Sequence, residues 1–132
     1  MATRSYIGTR NTDGSVDYIY CHFDGYPSGV GAILAEYYVA PTKVEALMKL
    51  GDLSVLGEYI GEKQDFTKGS TPGSCLAYGR DRGELNTEAK TSNFNDLINN
   101  RNVDYTYIWD GDYWECFDTS DPGGIIDLYT EK

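Results

Sequence analysis

Along residues 16–23 the side chains sort by parity. Ile19, Cys21 and Phe23 share one face of an extended chain, and Tyr18, Tyr20 and His22 share the other. Both faces are apolar or aromatic enough to be half buried, which predicts a central strand. Residues 5–9 form a shorter β-prone run, and Asp13-Gly14 within 11–15 is a turn signal, so a hairpin is expected here. The period then lengthens. Val30, Ile33, Leu34 and Tyr37 follow a helical spacing that Ser28 can cap and Pro41 stops. Thr42-x-x-Glu45 reads as a capping box opening a second helix, with Val44, Leu47 and Met48 inward and Gly51 as its C-terminal cap. Residues 52–56 are expected to add one more helical turn before Gly57.

Residues 61–74, rich in lysine, glycine and serine, predict a mobile loop, and 75–78 a strand. Asn93 caps a third helix with Phe94, Leu97 and Ile98 on its buried stripe. Residues 105–117 predict a hairpin turned at Asp110-Gly111, in which Trp109 faces Asp112, Tyr107 faces Trp114 and Tyr105 faces Cys116. Residues 125–129 add a last strand. The expected fold is a single α+β domain, an antiparallel sheet with two to three short helices packed on one face.

Composition narrows the chemistry. The chain has 132 residues, suited to one core, and no apolar run nears the roughly 20 residues that span a bilayer. Residues 1–4 lead into no signal-type stretch, so a soluble protein of the cytoplasm is expected. Cys21, Cys75 and Cys116 are odd in number and widely spaced, a poor disulfide or zinc framework. A single histidine leaves few metal or proton-relay designs, and no cofactor is expected. The net charge of −10 repels phosphates and disfavours direct binding to DNA or RNA. It is also uneven: residues 93–132 carry −7 and residues 1–92 carry −3. An acidic third can be a solvated face or a contact surface.

Several motifs invite chemistry. Cys21-His22 has the residue types of a nucleophile and its base, but neighbours on a strand point to opposite faces. His22 and Asp24 share a face, as a histidine oriented by an aspartate would, yet no serine sits in a nucleophile elbow. The glycine-rich loop 25–31, which holds Tyr26 and runs into a helix, has the shape of an anion cradle without a P-loop lysine. Tyr78-Gly79-Arg80-Asp81-Arg82-Gly83-Glu84 sets two arginines between glycines beside a tyrosine. Arg80 and Arg82 could grip a phosphate bidentately or pair internally with Asp81, Glu84 or the acidic third.

Eighteen aromatic residues, twelve of them tyrosine, exceed the needs of a core this size. Some of Tyr105, Tyr107, Tyr113 and Trp114 are therefore expected at the surface. Asp104, Asp110, Asp112, Glu115, Asp118 and Asp121 surround them. Carboxylates around aromatic side chains suit a partner that normally grips nucleic acid through arginine and lysine.

The runs V-D-Y-I-Y-C-H-F-D-G-Y-P-S-G-V-G, K-V-E-A-L-M-K-L-G-D-L-S-V-L-G and A-Y-G-R-D-R-G-E resemble a group of small acidic proteins encoded by phages and prophages. The likeness covers residues 2–84 well and the C-terminal hairpin loosely, and it brings no site residues with it. It implies a viral setting, in which small acidic proteins often block host defence systems by direct binding. The leading expectation is a non-catalytic inhibitor of a basic, nucleic-acid-binding host defence factor such as a CRISPR effector. Asp104, Tyr107, Asp110, Asp112, Tyr113, Glu115 and Asp118 would make the contact. The alternative is a binder that sequesters a nucleotide signal through His22, Asp24, Tyr26, Tyr78, Arg80 and Arg82.

Overall fold

The structure, a computed structural model, describes residues 3–68, 72–120, 125–126 and 128. Strands β1 (Ser5–Arg10) and β2 (Ser15–Cys21) form the expected hairpin, in register from Ser5 opposite Cys21 to Arg10 opposite Val16. Gly14 takes φ +91° in its turn, and Asp13 Oδ1 accepts the Ser15 N–H at 3.0 Å. A π-helical turn, Pro27–Gly31, leads into α1 (Ala32–Tyr37), and α2 follows as Pro41–Leu50. Neither Ser28 nor Thr42 acts as the cap. Pro27 and Pro41 occupy the first helical turns instead, where a missing N–H costs nothing. Gly51 does close α2, at φ +84°.

The segment expected to be a further helical turn is instead β3 (Leu53–Val55), parallel to β2 at Cys21. Three residues are too few for periodicity to separate strand from helix. Strand β4 (Leu76–Ala77) pairs with β3, and α3 (Tyr78–Arg82) begins directly after it. Strand β5 (Lys90–Asn93), which the sequence pattern did not predict, lies antiparallel to the first half of β2. Helix α4 (Phe94–Ile98) is capped as expected: Asn93 Oδ1 accepts the Asp96 N–H at 2.7 Å.

Strands β6 (Tyr105–Trp109) and β7 (Trp114–Asp118) make the predicted hairpin around a four-residue loop, not a two-residue one. The register therefore slides by two, with Trp109 opposite Trp114, Tyr107 opposite Cys116 and Tyr105 opposite Asp118. A slide of two leaves every side chain on its expected face. Strand β8 (Ile125–Ile126) pairs with β7. Asp121, Asp127 and Tyr129 lie outside the described residues.

The strands join in the order β4-β3-β2-β1-β6-β7-β8, with β5 beside β2. This is an α+β domain, but the sheet is mixed, because β1 runs parallel to β6 and β2 parallel to β3. Helices also lie on both faces. Helices α1 and α2 cover Ile7, Ile19, Cys21, Tyr107 and Cys116. Helix α4 covers Val16, Ile108 and Phe117 on the reverse, with the Phe94 and Phe117 rings 5.5 Å apart. Among the described residues no helix is long and apolar enough to cross a membrane.

Candidate functional site

The parallel pairing of β1 with β6 brings residues 3 and 4 beside 104 and 105. The Arg4 carbonyl accepts the Asp104 N–H at 2.9 Å and the Tyr105 N–H at 3.3 Å. Asp104 Oδ2 accepts the Arg4 N–H in return, at 3.1 Å. Across the hairpin, Thr119 donates its N–H to the Asp104 carbonyl at 3.1 Å and its hydroxyl to the Val103 carbonyl at 2.6 Å. These bonds fix the foot of the β6–β7 hairpin and set Asp104 and Asp118 on adjacent strands.

A third element arrives from the loop after β2. Asp24 takes φ +59°, and its carbonyl accepts the Val30 N–H at 2.8 Å. Gly25 lies so close to β1 that a Cβ there would be 2.8 Å from the Thr3 carbonyl oxygen, which excludes any larger residue. Tyr107 reaches through the core to donate its hydroxyl to the Gly25 carbonyl at 2.6 Å. Tyr26 is thereby held over the hairpin foot. The result is a polar cleft of about 530 Å³ lined by Thr3, Tyr26, Arg101, Val103, Asp104, Tyr105, Asp118, Thr119 and Ser120.

The cleft has a defined electrostatic character. Hydrogen bonds from the Ser120 hydroxyl and N–H hold the Asp118 carboxyl below the usual carboxylate range, so it is ionised at neutral pH. Burial pushes the Tyr105 phenol up, helped by the charges of Asp118 and Asp104, so it stays a neutral hydroxyl. Tyr26 is also held protonated, because it donates to Asp24 Oδ1 at 3.0 Å. Two carboxylates and two phenols thus line the cleft with Arg101 as the one cation among its described lining residues. Acceptors beside aromatic faces suit a guanidinium or ammonium group.

Four of the residues singled out from sequence meet in this cleft: Tyr26, Asp104, Tyr105 and Asp118. Others lie elsewhere. Asp110 and Asp112 sit at the opposite end of the hairpin, where Asp110 Oδ1 accepts the N–H groups of Asp112 and Tyr113 at 2.9 and 2.8 Å. Tyr113 is exposed there. Glu115 points from the reverse face and pairs with Arg10 at 3.7 Å. Tyr107 and Trp114 are core residues and not surface contacts; Trp114 Nε1 donates to the Tyr38 carbonyl at 2.8 Å. Sequence reasoning missed Thr3, Arg101 and Ser120; the one local signal was the place of Ser120 two residues after Asp118, whose carboxylate it bonds.

The residues of the nucleotide alternative are largely committed to partners within the chain. Arg80 spends all five of its donors inside the chain: on Asp81, on the Ile60 and Gly61 carbonyls and on the Cys75 carbonyl, at 2.8 to 3.2 Å. Arg82 pairs with Glu84, and its guanidinium lies 4.7 Å from the Phe66 ring centroid and 4.9 Å from that of Tyr78. His22 Nδ1 lies 2.7 Å from the Tyr20 hydroxyl, while Asp24 bonds Tyr26 instead. In the loop 25–31, the N–H groups of Gly29, Val30 and Gly31 go to the carbonyls of Tyr26 and Asp24. Gln64 ties the loop expected to be mobile to the body of the domain, donating to Cys75 O at 2.9 Å and, from its backbone, to Asp81 Oδ1 at 2.9 Å.

The thiols are buried, and burial pushes Cys21 and Cys116 up to about 12. Cys75 is raised as well, by burial, against hydrogen bonds from Tyr38 and Gly57. Iodoacetamide at pH 8 should therefore leave the native protein unmodified and label all three cysteines in urea, as intact mass would show. Labelling of a native cysteine within minutes would contradict this burial. No protein-family model, curated protein or solved structure matches the chain.

Proposed function

We propose that this chain is a non-catalytic binding protein that sets carboxylates and phenols against the basic surface a partner protein offers to nucleic acid. In the viral setting implied by the resemblance, that partner is a host defence factor, and occupying its surface inhibits it. The observation that carries the reading is the convergence of Tyr26, Asp104, Tyr105 and Asp118 on one cleft from three separate stretches of chain. The net charge of −10 supplies long-range attraction to a basic partner, and the cleft supplies fixed acceptors for its arginines or lysines. Arg80, the central residue of the nucleotide reading, is already saturated by its own chain.

The test pairs two double variants. Asp104→Asn with Asp118→Asn changes the cleft, and Asp110→Asn with Asp112→Asn changes the hairpin tip by the same charge. Proteins captured from a bacterial host by the wild-type chain are measured against both by surface plasmon resonance. The cleft variant should associate roughly threefold to tenfold more slowly at low salt. The tip variant should stay within about twofold, and added nucleic acid should displace the wild-type chain. Equal binding by both variants, or no competition by nucleic acid, would sink the proposal.

A further inference from the structure

A second cleft of about 530 Å³ opens between α2 and the far end of the sheet. Its floor is apolar: Val44 is buried, Met48 is half buried, and the Trp109 indole is 6% exposed. Its rim is acidic. Asp17, Glu45 and Glu88 stand there against one cation, Lys49, and none of these four forms an ion pair among the described residues. Asp17 is fixed in place, since its Oδ1 accepts from Thr91 Oγ1 at 2.7 Å and Asn11 Nδ2 at 3.1 Å.

The arrangement restricts what can fill it. Among the described residues no three acidic, histidine or cysteine side chains come close enough to hold one metal ion. The three carboxylates of the rim therefore do not converge on one point. A complementary ligand must spread its positive charge along an apolar chain, with the chain on the floor and the charges at separated carboxylates. We propose that this cleft binds a linear aliphatic polyamine, whose ammonium groups are spaced by three or four methylenes. The methylenes lie against Trp109, Val44 and Met48, where an ammonium also gains from the indole face. The ammonium groups reach Asp17, Glu45 and Glu88. This site shares no residue with the Tyr26–Asp118 cleft and does not depend on the partner reading.

Spermidine is the probe, titrated into the full chain and followed by calorimetry and tryptophan fluorescence. One saturable site is expected, with a fluorescence change because Trp109 is in the floor. Magnesium chloride at matched ionic strength should compete only weakly. Glu45→Gln with Glu88→Gln, both on exposed side chains, should weaken spermidine at least about tenfold, and Asp110→Asn with Asp112→Asn should leave it unchanged. Met48→Lys, which places an ammonium in the cleft covalently, should abolish binding while circular dichroism shows the fold intact. Absence of a saturable site would overturn the proposal, as would equal loss in the two acidic variants or equal competition by magnesium. So would full affinity in folded Met48→Lys protein.

Discussion

Replacing Arg80 with leucine should cost about 3–5 kcal/mol, the range for leaving one member of a buried pair alone. Asp81 has no exposed side-chain surface and Arg80 is 18% exposed, so the pair itself is largely shielded from water. The change takes the paired cation from the Asp81 carboxylate, which keeps only the Ala77 and Gln64 N–H groups, and removes the Arg80 donors from the carbonyls of Ile60, Gly61 and Cys75. It should lower the melting temperature by on the order of 10 °C. Asp81→Asn tests the same hub from the other side and adds a pH signature. Burial alone would raise the Asp81 pKa, but hydrogen bonds from Arg80, Ala77 and Gln64 outweigh it and hold the carboxyl below its ordinary value. A depressed folded pKa means this stabilisation is complete above the unfolded value of about 3.9 and disappears as pH falls through the folded one. Wild-type protein should therefore lose urea stability below about pH 4 more steeply than Asp81→Asn protein. A parallel decline in both would contradict the hub.

Tyr107 carries the second large effect. Truncation to alanine removes a fully buried ring from the main core and should cost about 3–5 kcal/mol. Tyr107→Phe keeps the ring but leaves the Gly25 carbonyl without its 2.6 Å donor, for about 1–2 kcal/mol. Denaturant midpoints would resolve the pair. Because that hydroxyl also anchors the loop carrying Tyr26, Tyr107→Phe should weaken partner capture with no contact of its own to the partner. A Tyr107→Ala protein as stable as wild type would show that the ring is not in the core.

The candidate cleft was legible only in pieces. Asp104 and Asp118 stood out as carboxylates in an acidic, aromatic segment, and Tyr26 as an aromatic in a glycine-rich loop. Nothing in their spacing said that they meet. Thr3 carried no signal, because its place comes from the pairing of β1 with β6 across about a hundred residues, whereas Ser120 bonds Asp118 from two residues away. The arginine motif was legible as unusual, but its two readings could be separated only by seeing every Arg80 donor taken up.

By itself the sequence determined which segments alternate and which follow a helical period, so β1, β2, α2, α4 and the β6–β7 hairpin were in view. Side-chain faces within each strand followed too. They survived even the two-residue slide of the hairpin register, because strand periodicity is two. Tertiary structure alone decided strand direction and neighbour. A half-buried strand shows the same alternation whether its partner runs parallel or antiparallel, so the β1–β6 and β2–β3 pairings left no mark in the pattern. Burial was decided there as well. Tyr107 and Trp114 look like contact residues among their acidic neighbours, yet α1 and α2 cover that side of the sheet and make both core. Local pattern reports which residues share a face, and only the packing of other elements decides whether that face meets water.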